Sequence, residues 1–202
     1  MSDTDVREVA VSTSAATADP APLGLAGFAL TTFVLSCFNA NLLDASLTAV
    51  VLPLALFYGG LGQFMAGMWE FKRNNTFGAL AFTSYGAFWM SFAGYVYFIA
   101  GKLPAATAHE ATGLFLLAWT IFTAYMMIAS FGTNGTVAAI FVALTLTFIL
   151  LTIGAFNNSS SMTHLGGYLG LLTAILAWYG SFGGVVNATF GKTIVPLFPR
   201  KG

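Results

Sequence analysis

The stretch Phe57 to Trp89, FYGGLGQFMAGMWEFKRNNTFGALAFTSYGAFW, decides the fold. It holds two apolar runs joined by a short charged turn at Lys72 and Arg73. A plain lipid anchor would be built from leucine. Here Gly59, Gly60, Gly62, Gly67, Gly78 and Gly86 thin the helix surfaces, so that neighbouring backbones or a solute can come close. Gln63, Thr83, Ser84 and Tyr85 bring hydrogen-bonding groups to membrane depth, where an unpaired polar group is costly. They are expected to face protein or a water-filled path.

Composition extends this reading to the whole chain. Only 7% of residues are charged, 57% are hydrophobic and 15% aromatic, and mean hydropathy is +0.82. Ordinary soluble domains carry about 25% charged residues, so the chain reads as an all-α integral membrane protein. A net charge of zero gives no footprint for nucleic acid. The single cysteine, Cys37, lies in an apolar run and reads as a small packed residue, which excludes an internal disulfide and a thiolate metal cluster. No nucleophile with a base, metal-ligand set or phosphate loop is visible, so no catalytic residue, metal or cofactor is expected.

Six apolar segments follow one another at about 23–43, 48–70, 76–100, 111–131, 136–156 and 164–188. Each is close to the roughly 20 residues that cross a hydrocarbon core of about 30 Å. Six transmembrane helices are therefore expected. Lys72, Arg73, Lys192, Arg200 and Lys201 fall on one side of an even number of spans, and the positive-inside rule makes that side cytoplasmic. Both termini are then inside. Residues 1–18 read as a flexible cytoplasmic tail without a signal peptide, 19–190 as a six-helix transmembrane domain and 191–202 as a cytoplasmic C-terminal tail. Asp19-Pro20 suits a helix start, because Asp caps free N–H groups and Pro tolerates the first turn.

Helical spacing puts Phe28, Thr32, Ser36 and Asn39 on one face of the first helix, and Gly59, Gln63, Gly67 and Glu70 on one face of the second. Two such faces can line one path, or can serve only as packing surfaces. Gly78, Phe82, Tyr85 and Trp89 form a stripe on the third helix, and Leu144, Phe148 and Leu151 one on the fifth. A stripe of small residues from Gly166 to Gly184 on the last helix reads as a packing surface. No ionisable residue falls at the middle of a span. Glu70, His109, Glu110 and His164 lie near the ends and read as interfacial residues.

The motifs also resemble a family. Phe57-Tyr58-Gly59-Gly60, Gln63, Ala66-Gly67, Glu70, Asn75-Thr76-Phe77-Gly78 and Ala81 to Gly86 are similar to the acetate uptake transporter family, which includes bacterial acetate/succinate permeases and fungal acetate carriers. Asp19-Pro20-Ala21-Pro22-Leu23-Gly24-Leu25 resembles its amino-terminal signature, with Asp19 where the family has Asn. Leu151 to Gly154 and Phe190-Gly191-Lys192-Thr193 continue the likeness.

The resemblance implies a six-helix protomer with its own pore, assembled as a homohexamer in the plasma or inner membrane. It further implies a constriction formed by Phe28, Tyr85 and Leu144, with Thr32, Asn39, Gln63, Thr83, Ser84 and Tyr85 as candidates for the substrate path. Acetate is the expected substrate, with succinate and other short carboxylates beside it and protons as possible companions. A carboxylic acid titrates near pH ~4 and passes an apolar ring more easily when neutral. Channel-like permeation, proton symport, ammonium export and a non-transporting scaffold or sensor all stay open at this point.

Overall fold

The computed structural model describes residues 17–199. Most of the expected amino-terminal tail, and the tail cations Arg200 and Lys201, lie outside the described residues. Short polar residues set where the helices start. α1 (Ala21–Asn39) begins where Asp19 Oδ1 accepts a hydrogen bond from Ala21 N at 3.0 Å. Asp44 opens a 3₁₀ turn, Ala45–Val50, by accepting from Ser46 N at 2.8 Å, and that bond holds its carboxyl below the usual carboxylate range. The chain runs on through α2 (Val51–Leu56), a π-helical segment (Phe57–Gly62) and α3 (Gln63–Lys72) as one rod, Ala45–Lys72.

Asn75 then caps α4 (Thr76–Gly94), Asn134 caps α6 (Gly135–Phe156), and Ser159 caps α7 (Ser160–Phe190). α5 (Ala108–Ser130) lies between α4 and α6. Asn41, Asn74 and Asn158 adopt positive φ at the turns, a conformation that Asn tolerates better than most residues. Gly191 (φ 65°) ends α7 in the same way. Residues 194–198 fold back rather than trail away. Asn187 Oδ1 accepts from Ile194 N and Val195 N, its Nδ2 donates to Val195 O, and Gly135 N donates to Phe198 O at 2.8 Å.

The helices close into a ring in which α1 packs on α7, α7 on α6, α6 on α5, and α3 on both α4 and α1. Glycine makes most of these seams tight. A Cβ on Gly27 would stand 2.5 Å from Tyr58 O, one on Gly86 2.5 Å from Phe64 N, and one on Gly167 2.2 Å from Ala40 N. The small-residue stripe of α7 divides between two neighbours: Gly170 meets Ser36 and Gly184 meets Pro22 of α1, whereas Gly166 meets Leu151 of α6. The seam between α4 and α5 is built the opposite way, from large rings. Tyr85 and Phe88 of α4 pack against Trp119, Phe122 and Phe115 of α5, with centroids 5.1–6.3 Å apart.

Five helical segments are long and apolar enough to cross a membrane: Ala21–Asn39, Ala45–Lys72, Ala108–Ser130, Gly135–Phe156 and Ser160–Phe190. The expected sixth, α4, does not join them. Its 19 residues include Thr76, Gly78, Thr83, Ser84, Gly86 and Ser91, and nine of its side chains or glycines are buried inside the bundle. A helix turned inward has no need of a lipid-grade sequence. Outside, α5 exposes Leu114 (64%), Ile121 (61%) and Ile128 (69%) along one stripe, a surface suited to lipid or a neighbouring helix and not to water.

These contacts give a direct test of the glycine seams. Gly167→Val drives a side chain into the α1 backbone and is expected to cost about 1–3 kcal/mol or more. Gly94→Ala, where a Cβ meets nothing within 4 Å, should be tolerated. Thermal denaturation of the purified protein, followed by size-exclusion profile, should rank the two in that order.

Candidate functional site

Two cavities enter the bundle from its opposite ends. The first, about 320 Å³, opens among Asp19, Arg73, Asn75, Thr133 and Asn134, and runs inward past Gln63, Glu70, Phe77, Phe82, Tyr85 and Phe141. The second, about 560 Å³, opens among Asn39, Asn41, His109, Asn158 and His164 and runs inward past Ser36, Thr32, Trp89 and Phe148. Phe28 and Leu144 line both. Each is at least 95% buried, so together they form an apolar waist where the two chambers share a wall. Tyr85, in the first chamber, packs on Phe28 with centroids 5.9 Å apart.

One face of α1 supplies much of this wall. Ala21, Leu25 and Phe28 line the first chamber, and Phe28, Thr32, Ser36 and Asn39 the second, at the three- and four-residue intervals of a helix. The rod contributes Gln63 and Glu70, seven residues apart and therefore on one face, and α4 contributes Gly78, Phe82, Tyr85 and Trp89. The glycines beside them serve packing. Gly59 meets Thr31, and Gly67 meets Thr83.

Several polar atoms along the wall are buried and have no hydrogen-bond partner within the protein: Gln63 Oε1 and Glu70 Oε1 in the first chamber, Thr32 Oγ1 and Trp89 Nε1 in the second. Buried polar groups are nearly always paired. Four such exceptions belong to residues that line the two cavities, and a fifth, Thr83 Oγ1, lies in the α3–α4 seam.

The expected site residues sort clearly by position. Phe28, Thr32, Asn39, Gln63, Tyr85 and Leu144 all line a chamber. Thr83 and Ser84 line neither; Thr83 packs against Gly67 across the α3–α4 seam, and Ser84 is half-buried. The Tyr85 hydroxyl is 2.9 Å from Thr123 Oγ1, so its hydrogen bond is already engaged on α5 while the ring faces the chamber. In the amino-terminal signature, Asp19 and Ala21 reach the first mouth. Pro20 is buried and its carbonyl accepts from Gly24 N, Pro22 O accepts from Ser181 Oγ at 2.7 Å, Leu23 is 44% exposed, and Gly24 lies against the Phe82 ring.

Glu70 corrects the sequence reading. Instead of standing at an interface, it is 0% exposed and lines the first chamber. Asn75 Nδ2 donates to Glu70 Oε2 at 3.0 Å, Arg73 Nη1 lies 3.9 Å from the same oxygen, and Arg73 is ion-paired with Asp19. Asn75 is itself fixed, because its Oδ1 caps α4 on Gly78 N. The turn Lys72-Arg73-Asn74-Asn75 carried the signal for this cluster, but spacing alone shows only that its charges sit at a span end.

A family model matches residues 4–199, under the description GPR1/FUN34/yaaH family. The succinate-acetate/proton symporter SatP of Escherichia coli K12 is 36% identical over 180 residues, which are 89% of this chain and 95% of that protein. Ammonia transport outward protein 2 of Saccharomyces cerevisiae is 43% identical over 175 residues, 84% of this chain and 62% of the yeast protein. The chain thus spans about two thirds or less of the fungal relatives it matches. The solved structure of the bacterial acetate channel SatP superposes with a TM-score of 0.84 at 36% identity, covering 90% of this chain and 99% of that one. The architecture of helices around a waisted cavity pair and the sequence motifs thus converge, and the chain belongs to the GPR1/FUN34/yaaH family.

Proposed function

We propose that this protein is a transporter or channel, not an enzyme, that carries acetate and other short carboxylates such as succinate across the plasma or inner membrane. The observation that carries the reading is the pair of cavities that share Phe28 and Leu144 in their walls and hold buried, unpartnered polar atoms. An apolar waist without a fixed cation gives a bare anion little in exchange for its hydration shell, so it discriminates by bulk and by charge. The names of the bacterial relative and of the solved channel support the same substrate class. In this reading Phe28, Leu144 and the Tyr85 ring are the size filter, and Gln63, Thr32 and Asn39 bind the passing group. Six helices cross the membrane, with both termini cytoplasmic, and six protomers assemble, each with its own path.

A specific observation favours a second reading, ammonium. Glu70 is buried in the same chamber as Gln63, with one oxygen unpartnered. A carboxylate and several aromatic faces also suit a small cation, and the yeast relative is named for ammonia transport. Labelled acetate and labelled methylammonium, offered to the same proteoliposomes, separate the readings. Saturable acetate flux above that of empty liposomes supports the first, and methylammonium flux alone the second.

The filter makes its own prediction. Leu144→Ala should extend the range towards lactate and propionate, and Phe28→Ala should raise leak and weaken discrimination. Each truncation also costs roughly 2–5 kcal/mol of stability, so flux is normalised to folded protein. Unchanged ratios among acetate, lactate and succinate in both variants would return these side chains to the packed core. Gln63→Leu is expected to lower acetate flux without changing the amount of folded oligomer; parallel loss of both would instead indicate a packing role.

Orientation is open to labelling. Asp19 pairs with Arg73, and Pro199 lies against Asn134, so the start of α1, the α3–α4 turn and the chain's end share one face of the bundle. In a Cys37→Ser background, Lys72→Cys and Lys192→Cys should resist an impermeant thiol reagent added outside, while Glu110→Cys should react.

A further inference from the structure

Glu70 is anchored through only half of its carboxyl group. Oε2 accepts from Asn75 Nδ2 at 3.0 Å and lies 3.9 Å from Arg73 Nη1, whereas Oε1 has no partner within the protein. From α4, Gly78 lies against that oxygen, so close that a Cβ there would come within 2.9 Å of it, yet it offers no donor because its amide is committed to Asn75 Oδ1. The residue is fully buried and faces the first chamber. Its bare atom is an acceptor, and an acceptor calls for a donor.

A carboxylate substrate brings only acceptors. The two groups can meet at hydrogen-bonding range only with a proton between them, since two carboxylates sharing one site cannot both stay ionised. The neighbouring charges do not remove this requirement. Arg73 is engaged by Asp19 as well as by Glu70, Lys72 sits over the Trp69 ring at 5.0 Å, and the α5–α6 turn adds only the uncharged Thr133 and Asn134 to the chamber. From α4, Asn75 and Gly78 face the carboxyl, and both are neutral.

We propose that Glu70 shares one proton with the substrate's carboxyl group in the first chamber, so that each short carboxylate passes the Phe28–Leu144 waist as the neutral acid. The inference rests on the carboxylate reading given above. For passage from the first mouth, protonated Glu70 gives its Oε1 proton to the carboxylate oxygen: one O–H bond breaks, another forms, and Glu70 is left ionised. The neutral acid crosses the waist and releases the proton to water beyond the second chamber, and Glu70 regains a proton from the first mouth. In the reverse direction the arriving acid hands its proton to ionised Glu70 and leaves as the anion, and Glu70 then releases that proton to water at the first mouth. One proton accompanies each carboxylate, and no charge crosses.

The test compares wild type with Glu70→Gln, whose amide keeps an acceptor for Asn75 but cannot exchange a proton. Labelled acetate efflux from right-side-out proteoliposomes, in which the substrate enters by the first mouth, is measured at equal inner and outer pH of 7 or 5, above empty liposomes and per folded protein. At a carboxyl pKa of about 4.3, roughly two acetate molecules in a thousand are neutral at pH 7 and roughly one in six at pH 5. Glu70→Gln should therefore lose at least tenfold in flux at pH 7 and recover to within about threefold of wild type at pH 5, where the substrate brings its own proton. An equal fractional loss at both pH values, or no loss, overturns the proposal, because a side chain with only a packing role has no reason to respond to substrate protonation. If the variant does not fold, wild-type protein under a valinomycin-imposed potential decides: flux that follows the potential means that the anion crosses, and the proposal falls, while indifference to it supports neutral passage. Wild-type flux no greater than that of empty liposomes at either pH would instead sink the carboxylate reading itself, a separate and recognisable failure.

Discussion

Everything in this bundle depends on three helices meeting at backbone distance. Gly27 of α1 lies on the Tyr58 carbonyl, Gly86 of α4 on the Phe64 amide, and Gly67 of α3 on the Thr83 backbone and hydroxyl. Contacts of this kind leave no side chain that could rotate aside, so the relative height and rotation of α1, the rod and α4 are fixed within narrow limits. That rigidity positions Phe28 beside Tyr85 and brings Gln63 and Glu70 to the same chamber. A seam packed with leucine would allow sliding and would blur the waist.

The α4–α5 seam is held apart by rings rather than drawn together by glycines. Tyr85, Phe88, Trp119 and Phe122 fill it, and the Tyr85–Thr123 and Tyr95–Thr112 hydrogen bonds tie it at two depths. Tight seams on one side and a wide aromatic seam on the other leave space inside the ring, and the chambers occupy it. Four of the five buried unpartnered side-chain atoms among the described residues belong to residues lining that space, while Thr31 and Thr145, which line neither chamber, satisfy themselves on carbonyls of their own helices.

How far the sequence carried depended on the kind of interaction. Helix starts at Asn75, Asn134 and Ser159 obey local capping chemistry, and the α1 face from Phe28 to Asn39 obeys helical period, so both can be read along the chain. α4 falls short of lipid-grade hydropathy because Thr76, Thr83, Ser84, Ser91 and its glycines dilute the apolar run, and nine of its 19 residues are buried in the bundle. Thr83 and Ser84 share the motif of Tyr85, yet a helix turns by about 100° per residue; adjacent residues cannot all face one cavity, and only Tyr85 does. The burial of Glu70 was out of reach, because it depends on a glycine of the next helix and on an Asn75 side chain that caps and donates at once. No local rule joins those facts.

The two chambers also differ in what they leave unpaired. In the first, the bare atoms are the acceptors Gln63 Oε1 and Glu70 Oε1; in the second they are the Thr32 hydroxyl and the Trp89 indole N–H, both able to donate. A carboxylate anion is matched by donors, and a carboxylic acid by at least one acceptor. On the carboxylate reading proposed above, the ends of the path favour different protonation states of one substrate, with Phe28 and Leu144 lining both chambers between them. A membrane protein without an ionisable residue at mid-depth can then link proton movement to solute movement: the solute carries the proton across the apolar step, and a carboxyl group at one mouth exchanges it.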